Sequence, residues 1–346
     1  MTKRIPITIL TGFLGAGKTT LLNRIINGDH GLKVAVLVND FGAINIDSQL
    51  VVDVDGDMVS LSNGCICCTI RGDFVTAVEQ VAQQPMPPDY IVVEASGVAD
   101  PIDIGLTFKS IPNVKIDSIL AVIDAEQVQT LANEYAVLAM NQIGVADIVI
   151  INKVDLVTPT QLESVRAYVR KIIKDARIYE TTNADVPLAL ILNVGEYAIE
   201  RLSVRSPQSV HVHEAGHDHD HDHDHTHAQV FDTWSWSNES EPVSLKAVER
   251  AMDKLPSVVY RAKGIFHVME SPDQRVLVQV VGQRVTVEPG KPWADAPPRS
   301  QFVVIAAHGG VDPDVLQTLL DATLESHQPD SPLARLAQGV RSWLRG

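Results

Sequence analysis

The chain of 346 residues is poor in cysteine and in aromatic residues, and it has no long apolar run. Its cysteines stand together at positions 65, 67 and 68, so the sequence excludes a framework of structural disulfides and indicates a reducing compartment. No segment approaches the roughly eighteen apolar residues that a membrane-spanning helix requires. We therefore expect a cytoplasmic protein without a membrane partner.

Basic residues are also scarce, since 28 Lys and Arg stand against 43 Asp and Glu, for a formal net charge of -15. Sequence-independent binding to nucleic acid depends on clustered positive charge, so this composition argues against a nucleic-acid partner. The negative charge favours the attraction of cations instead. The length exceeds that of most single cores, so two domains are expected.

A glycine-rich motif directly follows the first apolar run, Ile5 to Leu10. Residues 12–19 read G-F-L-G-A-G-K-T, the phosphate-binding loop pattern between a strand and a helix, here predicted at 19–26. Its glycines let backbone N–H groups surround an anion, while Lys18 can reach the β- and γ-phosphates and the Thr19 hydroxyl can bind Mg²⁺. Lys18 and Thr19 are also predicted catalytic residues. The predicted nucleotide-binding residues of this loop are Gly12, Phe13, Leu14, Gly15, Ala16, Gly17, Lys18, Thr19 and Thr20.

Short apolar runs alternate with longer helical stretches from residue 1 to about 205, a pattern typical of an α/β domain with a mostly parallel sheet. Because the phosphate-binding loop opens this pattern, residues 1–205 are predicted to form a P-loop NTPase domain. The later strands are predicted at 33–39, 90–95, 118–123, 148–152 and 177–181, and further helices at 74–84, 128–143 and 159–175.

The composition changes at Pro207, and residues 206–228 are predicted to be a flexible linker rich in His and Asp. Residues 229–346 follow a different order and indicate a smaller α+β domain with helices on one face of an antiparallel sheet. A ferredoxin-like arrangement is one solution for such a domain. Its strands are predicted near 230–235, 258–269, 275–281, 284–288 and 301–307, and its helices at 245–254, at 312–326 and near the end of the chain.

A second nucleotide signal closes the strand at 148–152, where residues 152–155 read N-K-V-D. Guanine-specific sites present this pattern at a strand end. An aspartate in the position of Asp155 can accept hydrogen bonds from the guanine N1–H and the exocyclic amino group together. We therefore predict GTP rather than ATP as the nucleotide, with Asn152, Lys153 and Asp155 in its site.

Carboxylates end two other apolar strands. In E-A-S-G at 94–97, Glu94 can hold Mg²⁺ through water and is a third predicted catalytic residue, while the Gly97 N–H can face the γ-phosphate. Asp124 ends the strand at 118–123 and is an alternative carboxylate for the metal. Either carboxylate can also simply end a buried strand.

The cysteines form the motif C-I-C-C at 65–68, between the phosphate-binding loop and the Glu94 strand. Closely spaced thiols bind zinc, cobalt(II) and copper(I) well, so Cys65, Cys67 and Cys68 are predicted metal ligands. Three thiols are one ligand short of a closed tetrahedral site, which suits a site that must release its metal. A redox-sensing thiol cluster and inert buried cysteines are the alternatives.

Taken in order, G-F-L-G-A-G-K-T, N-D-F-G at 39–42, C-I-C-C, E-A-S-G and N-K-V-D closely resemble the CobW-like family of metal-trafficking GTPases. These are relatives of the maturation GTPases for hydrogenase and urease. The resemblance extends over the histidine-rich linker and a C-terminal CobW-type domain, matched around R-A-K-G at 261–264. It implies a slow GTPase that holds a transition metal at the cysteines and delivers it to a client metalloprotein. Many members have glutamate in place of Asp40, which is kept as a candidate metal ligand.

The metal and the client stay open at the level of sequence. Affinity order and the histidine-rich linker favour Zn²⁺, with a Co²⁺ chaperone for cobalamin synthesis or for activation of an enzyme such as nitrile hydratase as the second hypothesis. A GTP-binding redox sensor and a metal-storage protein are further alternatives, and a homodimer is left open.

Histidines are concentrated in the linker, where they alternate with Asp. Neutral imidazole binds zinc, nickel, cobalt and copper, so these residues are predicted weak sites that buffer or feed the cysteine site. The alternative is a solvated acidic linker. The isolated His267 and His308 are predicted to be structural. The predicted linker sites are His217, His219, His221, His223 and His225.

Overall fold

The computed structural model describes residues 4–28, 31–39, 58–60, 66–70, 74–97, 111–192, 231–294 and 296–328. The chain divides into two compact units, Met1–Glu196 and Tyr197–Gly346. Each unit has its own sheet and its own buried apolar residues. Within these described ranges, no helix combines the length and apolar character needed to cross a membrane.

The first unit alternates strands with helices, and a short 3-10 turn, Val154–Leu156, follows its seventh strand. Its strands are β1 (Ile5–Thr11), β2 (Val34–Asn39), β3 (Met58–Ser60), β4 (Ile66–Ile70), β5 (Tyr90–Glu94), β6 (Val114–Asp124), β7 (Ile148–Asn152) and β8 (Ile178–Glu180). Its helices are α1 (Lys18–Asn27), α2 (Phe74–Ala82), α3 (Glu134–Gly144), α4 (Pro159–Ile172) and α5 (Leu188–Ile191).

These strands form one sheet in the order β3-β4-β2-β5-β1-β6-β7-β8. Every neighbouring pair is parallel except β3 and β4, which are antiparallel. All five residues of β5 and of β7 are buried, as expected for central parallel strands that are covered on both faces. The predicted α/β fold with a mostly parallel sheet is confirmed.

Helices cover this sheet through apolar side chains at helical spacing. Val78 of α2 packs into a cluster with residues of β1, β2 and β5. Val165 and Val169 of α4 join Ile143 of α3 in a second cluster over β6 and β7. These two clusters fix the helices against the strands, so that the loops at the strand ends start from rigid positions.

The second unit consists of one sheet and two longer helices, followed by a 3-10 turn, Glu325–His327. Its sheet has the order β12-β11-β10-β13-β9, and every neighbouring pair is antiparallel. Its elements are β9 (Phe231–Asn238), α6 (Leu245–Met252), β10 (Val259–His267), β11 (Gln274–Val281), β12 (Arg284–Pro292), β13 (Ser300–Ala307) and α7 (Pro313–Asp321).

In the second sheet, β13 lies between β9 and β10, which α6 connects along the chain. This split β-α-β arrangement is a feature of ferredoxin-like folds, and the hairpin of β11 and β12 extends the sheet beyond it. The core contains Phe266 and Phe302 from the strands, Val248 from α6 and Leu320 from α7. The predicted α+β class of this domain is confirmed.

Several predicted boundaries are wrong, for local reasons. The helix predicted at 128–143 begins only at Glu134, because residues 125–130 form turns and Asn133 has a φ of 55°. The helix predicted at 312–326 ends at Asp321. The short strands β3 and β4 were not predicted, and the predicted final helix near the end of the chain lies outside the described residues.

Candidate functional site

Four neighbouring parallel strands, β5, β1, β6 and β7, bring their carboxyl ends to one edge of the first sheet. Leu10 is in register with Glu94, Thr11 with Ala121, and Asp124 with Asn152. The two motifs predicted to bind nucleotide and the two strand-end carboxylates therefore meet at this edge. Ligands of open α/β sheets bind outside the carboxyl ends of the strands.

The phosphate-binding loop connects β1 to α1 through three glycines with positive φ, which are 134° at Gly12, 76° at Gly15 and 106° at Gly17. A Cβ on Gly12 would lie 2.0 Å from the Val122 carbonyl oxygen, and one on Gly17 would lie 2.3 Å from the Asn152 side-chain nitrogen. The loop thus depends on glycine for its backbone conformation and for its close approach to neighbouring strands.

Lys18 and Thr19 begin helix α1 directly after this loop. Lys18 is buried and its Nζ donates to the Phe13 carbonyl oxygen at 3.2 Å, back across the loop. The Thr19 hydroxyl donates to Glu94 Oε1 at 3.0 Å. A hydroxyl and a buried carboxylate side by side at the helix N-terminus are oxygen ligands of the kind that Mg²⁺ takes beside phosphates, so these residues fit the metal.

The N-K-V-D residues lie at the other side of the loop. Asn152 is buried, its Nδ2 donates to the Ala16 carbonyl oxygen at 2.8 Å, and its Oδ1 accepts from the Ala184 N–H at 2.8 Å. Lys153 has a φ of 62°, and Asp155 is exposed in the 3-10 turn. Asn152 therefore joins the phosphate-binding loop to the segment that follows β8, while Asp155 stays available to a ligand.

Asp124 does not contact the Thr19 side in the described bonds. Its Oδ2 accepts from Lys153 Nζ at 2.7 Å, and its Oδ1 accepts from the Glu126 N–H at 2.9 Å. The carboxylate that contacts Thr19 is Glu94. Of the two strand-end carboxylates, the structure therefore places Glu94 on the phosphate side and Asp124 on the N-K-V-D side.

Helix α3 supports the loop in a way that the sequence did not reveal. Gln142 is buried and its Nε2 donates to the Gly97 carbonyl oxygen at 3.1 Å. A Cβ on Gly97 would lie 2.7 Å from the Leu14 side chain, and the rings of Phe13 and Tyr135 meet edge to face at 5.4 Å. The local sequence gives no signal for these contacts, because they join segments that are far apart in the chain.

The C-I-C-C segment enters the same sheet through β4. Cys67 pairs with Val36 and Cys68 with Leu37 in the register of β2 and β4, and Leu37 pairs with Val93 of β5. Cys68 is thus level with the residue that precedes Glu94. At about 4.8 Å between neighbouring strands, its backbone is about 10 Å from that of Val93.

Some predicted metal ligands lie outside the described residues. These are Cys65, Asp40 and the linker histidines His217, His219, His221, His223 and His225. For Cys67 and Cys68 the described feature is their place in β4. Within the described side chains, no group of three His, Cys, Asp or Glu residues could hold a metal ion.

The two isolated histidines lie in the second unit. Burial lowers the pKa of His267, whose ring meets the Trp293 ring edge to face at 6.1 Å. His308 is exposed, and its Nδ1 is 2.8 Å from Asp232 Oδ1.

Comparison with known proteins gives the family. Residues 6–180 match the model of the CobW/HypB/UreG nucleotide-binding domain, and residues 231–324 match that of the cobalamin synthesis protein cobW C-terminal domain. The chain belongs to the CobW/HypB/UreG family. Its first unit is therefore the nucleotide-binding domain of that family, and the strand-end edge described above belongs to this domain.

Relatives in this family align with most of the chain. The Zinc chaperone YjiA of Escherichia coli is 30% identical over 314 residues, which are 87% of this chain and 93% of that protein. The Zinc-regulated GTPase metalloprotein activator 1 of Dictyostelium discoideum is 30% identical over 330 residues, 82% of this chain and 67% of that protein. The crystal structure of the Zn(II)-bound YjiA GTPase from E. coli is 27% identical, covers 93% of this chain and 99% of its own, and has a TM-score of 0.45.

Proposed function

We propose that this CobW-family protein is a GTP-dependent metallochaperone, which holds a transition metal ion, zinc in the first place, and transfers it to a client metalloprotein. It is a GTPase, in keeping with its family and with relatives that are named a zinc chaperone and a zinc-regulated GTPase metalloprotein activator. The metal is cargo in this proposal. Hydrolysis of GTP to GDP and phosphate drives its release.

On the phosphate side, each predicted residue has a role that its position supports. Backbone N–H groups of the glycine loop and the start of α1 hold the phosphates. Lys18 neutralises the charge that grows on the β- and γ-oxygens. Thr19 and Glu94 would hold Mg²⁺, which supplies further charge neutralisation when bound. The Gly97 N–H faces the γ-phosphate.

On the base side, Asp155 accepts from the two guanine donors. Asn152 keeps the base loop and the phosphate-binding loop at a fixed separation through its bond to Ala16. Lys153 lies between these two residues and holds the backbone of the loop in its left-handed conformation. Adenine lacks the pair of donors that Asp155 requires, which gives the preference for GTP.

The observation that carries the metal half of the proposal is the register of Cys68 with Leu37 and Val93. It supports a metal site on Cys65, Cys67 and Cys68 only two strands away from the Glu94 end of β5. A segment held by the γ-phosphate can therefore influence the thiols over a short distance. We infer that GTP tightens this metal site, with Asp40 as a candidate fourth ligand, and that hydrolysis loosens it.

The test is a titration of Zn²⁺ and of Co²⁺ against a competing chelator, with Mg²⁺ and either a non-hydrolysable GTP analogue or GDP. The full chain is compared with a variant in which the three cysteines are replaced by serine. We expect one site that binds at least about fivefold more tightly with the GTP analogue, the lower end of typical coupling, and that is lost in the variant. Equal affinity with both nucleotides would remove the coupling, since a ligand shifts only states that it binds differently.

The same titration separates the alternatives. A storage protein gives many weak sites that survive the cysteine variant and ignore the nucleotide, as expected if His217, His219, His221, His223 and His225 bind most of the metal. A redox sensor gives reversible thiol oxidation without tight metal binding. Tighter binding of Co²⁺ than of Zn²⁺ would favour the cobalt chaperone.

A further inference from the structure

We propose that Asp124 is a positioning residue that sets the guanine selectivity of the nucleotide site, and that it acts through Lys153. This inference rests on the proposed binding of GTP. It assigns to Asp124 a role on the base side, whereas the sequence offered it as an alternative ligand for the magnesium ion.

Asp124 is the last residue of β6, in register with Asn152 at the end of β7, and is 5% exposed. Both of its carboxylate oxygens are used. Oδ2 accepts from Lys153 Nζ at 2.7 Å, and Oδ1 accepts from the Glu126 N–H at 2.9 Å. Because a buried carboxylate is costly without a cation and hydrogen bonds, this pair is held firmly in one geometry.

The Asp124 backbone strengthens the same arrangement. Its carbonyl oxygen accepts from the N–H groups of Gln127 at 3.3 Å and Val128 at 3.0 Å, so the chain turns tightly after β6. The Ala125 N–H donates to the Asn152 carbonyl oxygen at 3.0 Å, which joins this turn to the end of β7. The carboxylate therefore belongs to a rigid turn and gives Lys153 a fixed anchor.

Lys153 needs such an anchor because its φ of 62° lies in the left-handed region, which is strained for a residue with a Cβ. Its side chain is 31% exposed, so the ammonium reaches Asp124 from a partly open position. The bond from Lys153 to Asp124 offsets the backbone strain. The turn Val154–Leu156, which carries Asp155, starts from this residue.

The neighbouring Asn152 is fixed without Asp124, through Ala16 on one side and Ala184 on the other. Loss of the Asp124 carboxylate should therefore leave the phosphate-binding loop and Asn152 in place while the turn that carries Asp155 loses its anchor. This separation gives a specific expectation. Affinity for guanine nucleotides falls, and affinity for adenine nucleotides, which cannot use Asp155, stays the same.

The test measures the displacement of a fluorescent GDP analogue by GDP and by ADP, with Mg²⁺, for the full-length wild type, Asp124→Asn, Lys153→Met and the double variant. We expect each single variant to lower the ratio of GDP to ADP affinity by about tenfold, the effect of one hydrogen bond to a charged group. The double variant should be no worse than either single variant, because both remove the same interaction.

Asp117→Asn is the matched control. Asp117 lies in the same strand, is also 5% exposed, and accepts from the Tyr90 hydroxyl at 2.6 Å, near the opposite end of β6. Its replacement removes an equally buried charge far from Lys153. We expect a loss of stability with the same ratio of GDP to ADP affinity as the wild type.

An unchanged ratio in Asp124→Asn would overturn the inference, as would an equal loss for GDP and ADP, which would assign Asp124 to the phosphate side or to general stability. Additive effects in the double variant would show that Asp124 does not act through Lys153. If Asp124→Asn does not fold, Lys153→Met still tests the pair. A wild type that binds ADP as tightly as GDP would overturn the proposed guanine site itself, and this inference with it.

Discussion

At the scale of single residues, the glycines of the phosphate-binding loop do different work. Gly12 and Gly15 both have positive φ, but only Gly12 has backbone close by, with the Val122 carbonyl oxygen 2.0 Å from the place of a Cβ. At Gly15 nothing lies within 4 Å of that place. The same substitution is therefore expected to have two different costs.

We predict that Gly12→Ala lowers the free energy of unfolding of the first unit by about 3 kcal/mol or more, because the β6 backbone must shift. Gly15→Ala should cost about 1 to 2 kcal/mol, the strain of a left-handed alanine. Urea unfolding followed by far-UV circular dichroism measures both. Equal losses would contradict the contact at Val122 as the cause.

His267 gives a prediction about pH. Burial lowers its pKa in the folded state, and it lies opposite Arg275 in the register of β10 and β11 and beside Trp293. The unfolded chain therefore takes up the proton first as pH falls below about 6.5. The stabilisation from the neutral ring is full above that pH and is lost as pH falls toward the lower folded pKa.

We expect the second unit to be less stable at pH 5.5 than at pH 7.5, and His267→Gln to reduce this difference. Urea unfolding followed by tryptophan fluorescence is a suitable measurement, since all 4 tryptophans, at 234, 236, 293 and 343, follow the linker. An unchanged pH dependence in His267→Gln would assign the effect to other groups.

At the scale of elements, helix α4 shows how local sequence fixes a helix start. Thr158 is its N-cap, its hydroxyl accepts from the Gln161 N–H at 3.3 Å, and the Gln161 side chain accepts from the Thr158 N–H at 2.8 Å. Pro159 follows at the first helical position. This is a capping box, which satisfies N–H groups that a helix start otherwise leaves without partners.

Thr158→Ala is expected to lower the stability of the first unit by about 1 kcal/mol, through loss of the cap. Thr160→Ala is the control, because Thr160 is exposed inside the helix, where alanine is at least as favourable. Circular dichroism in urea compares the two variants. A Thr160→Ala loss as large as that of Thr158→Ala would speak against capping as the source.

At the scale of the whole molecule, the apolar clusters are confined to one unit each. The cluster with Phe266 contains only residues of the second unit, and the two clusters over the parallel sheet contain only residues of the first. The nucleotide-binding residues proposed here all belong to the first unit. A ligand at the strand-end edge should therefore stabilise the first unit selectively.

We predict two thermal transitions in calorimetry, of which GDP with Mg²⁺ raises one. At about one hundred times the Kd, the gain in stability of the first unit is about 2.7 kcal/mol. The transition reported by tryptophan fluorescence, which belongs to the second unit, should stay in place. A single transition, or an equal shift of both, would contradict independent unfolding.

The sequence by itself determined what depends on short-range chemistry. The glycines at 12, 15 and 17, the lysine and threonine after them and the N-K-V-D motif are contiguous patterns, and each motif predicts its own local ligand. The alternation of apolar strands with helices gave the α/β class, because central parallel strands are buried on both faces and read as continuous apolar runs.

Only the tertiary structure decided which distant residues meet. Asp124 and Glu94 are both carboxylates at strand ends, and the sequence could not separate their roles, because the order of strands in the sheet is not written in either segment. The fold pairs one with Thr19 and the other with Lys153. Contacts such as Gln142 with Gly97, and the register that sets Cys68 level with Val93, likewise arise from packing over long separations in the chain.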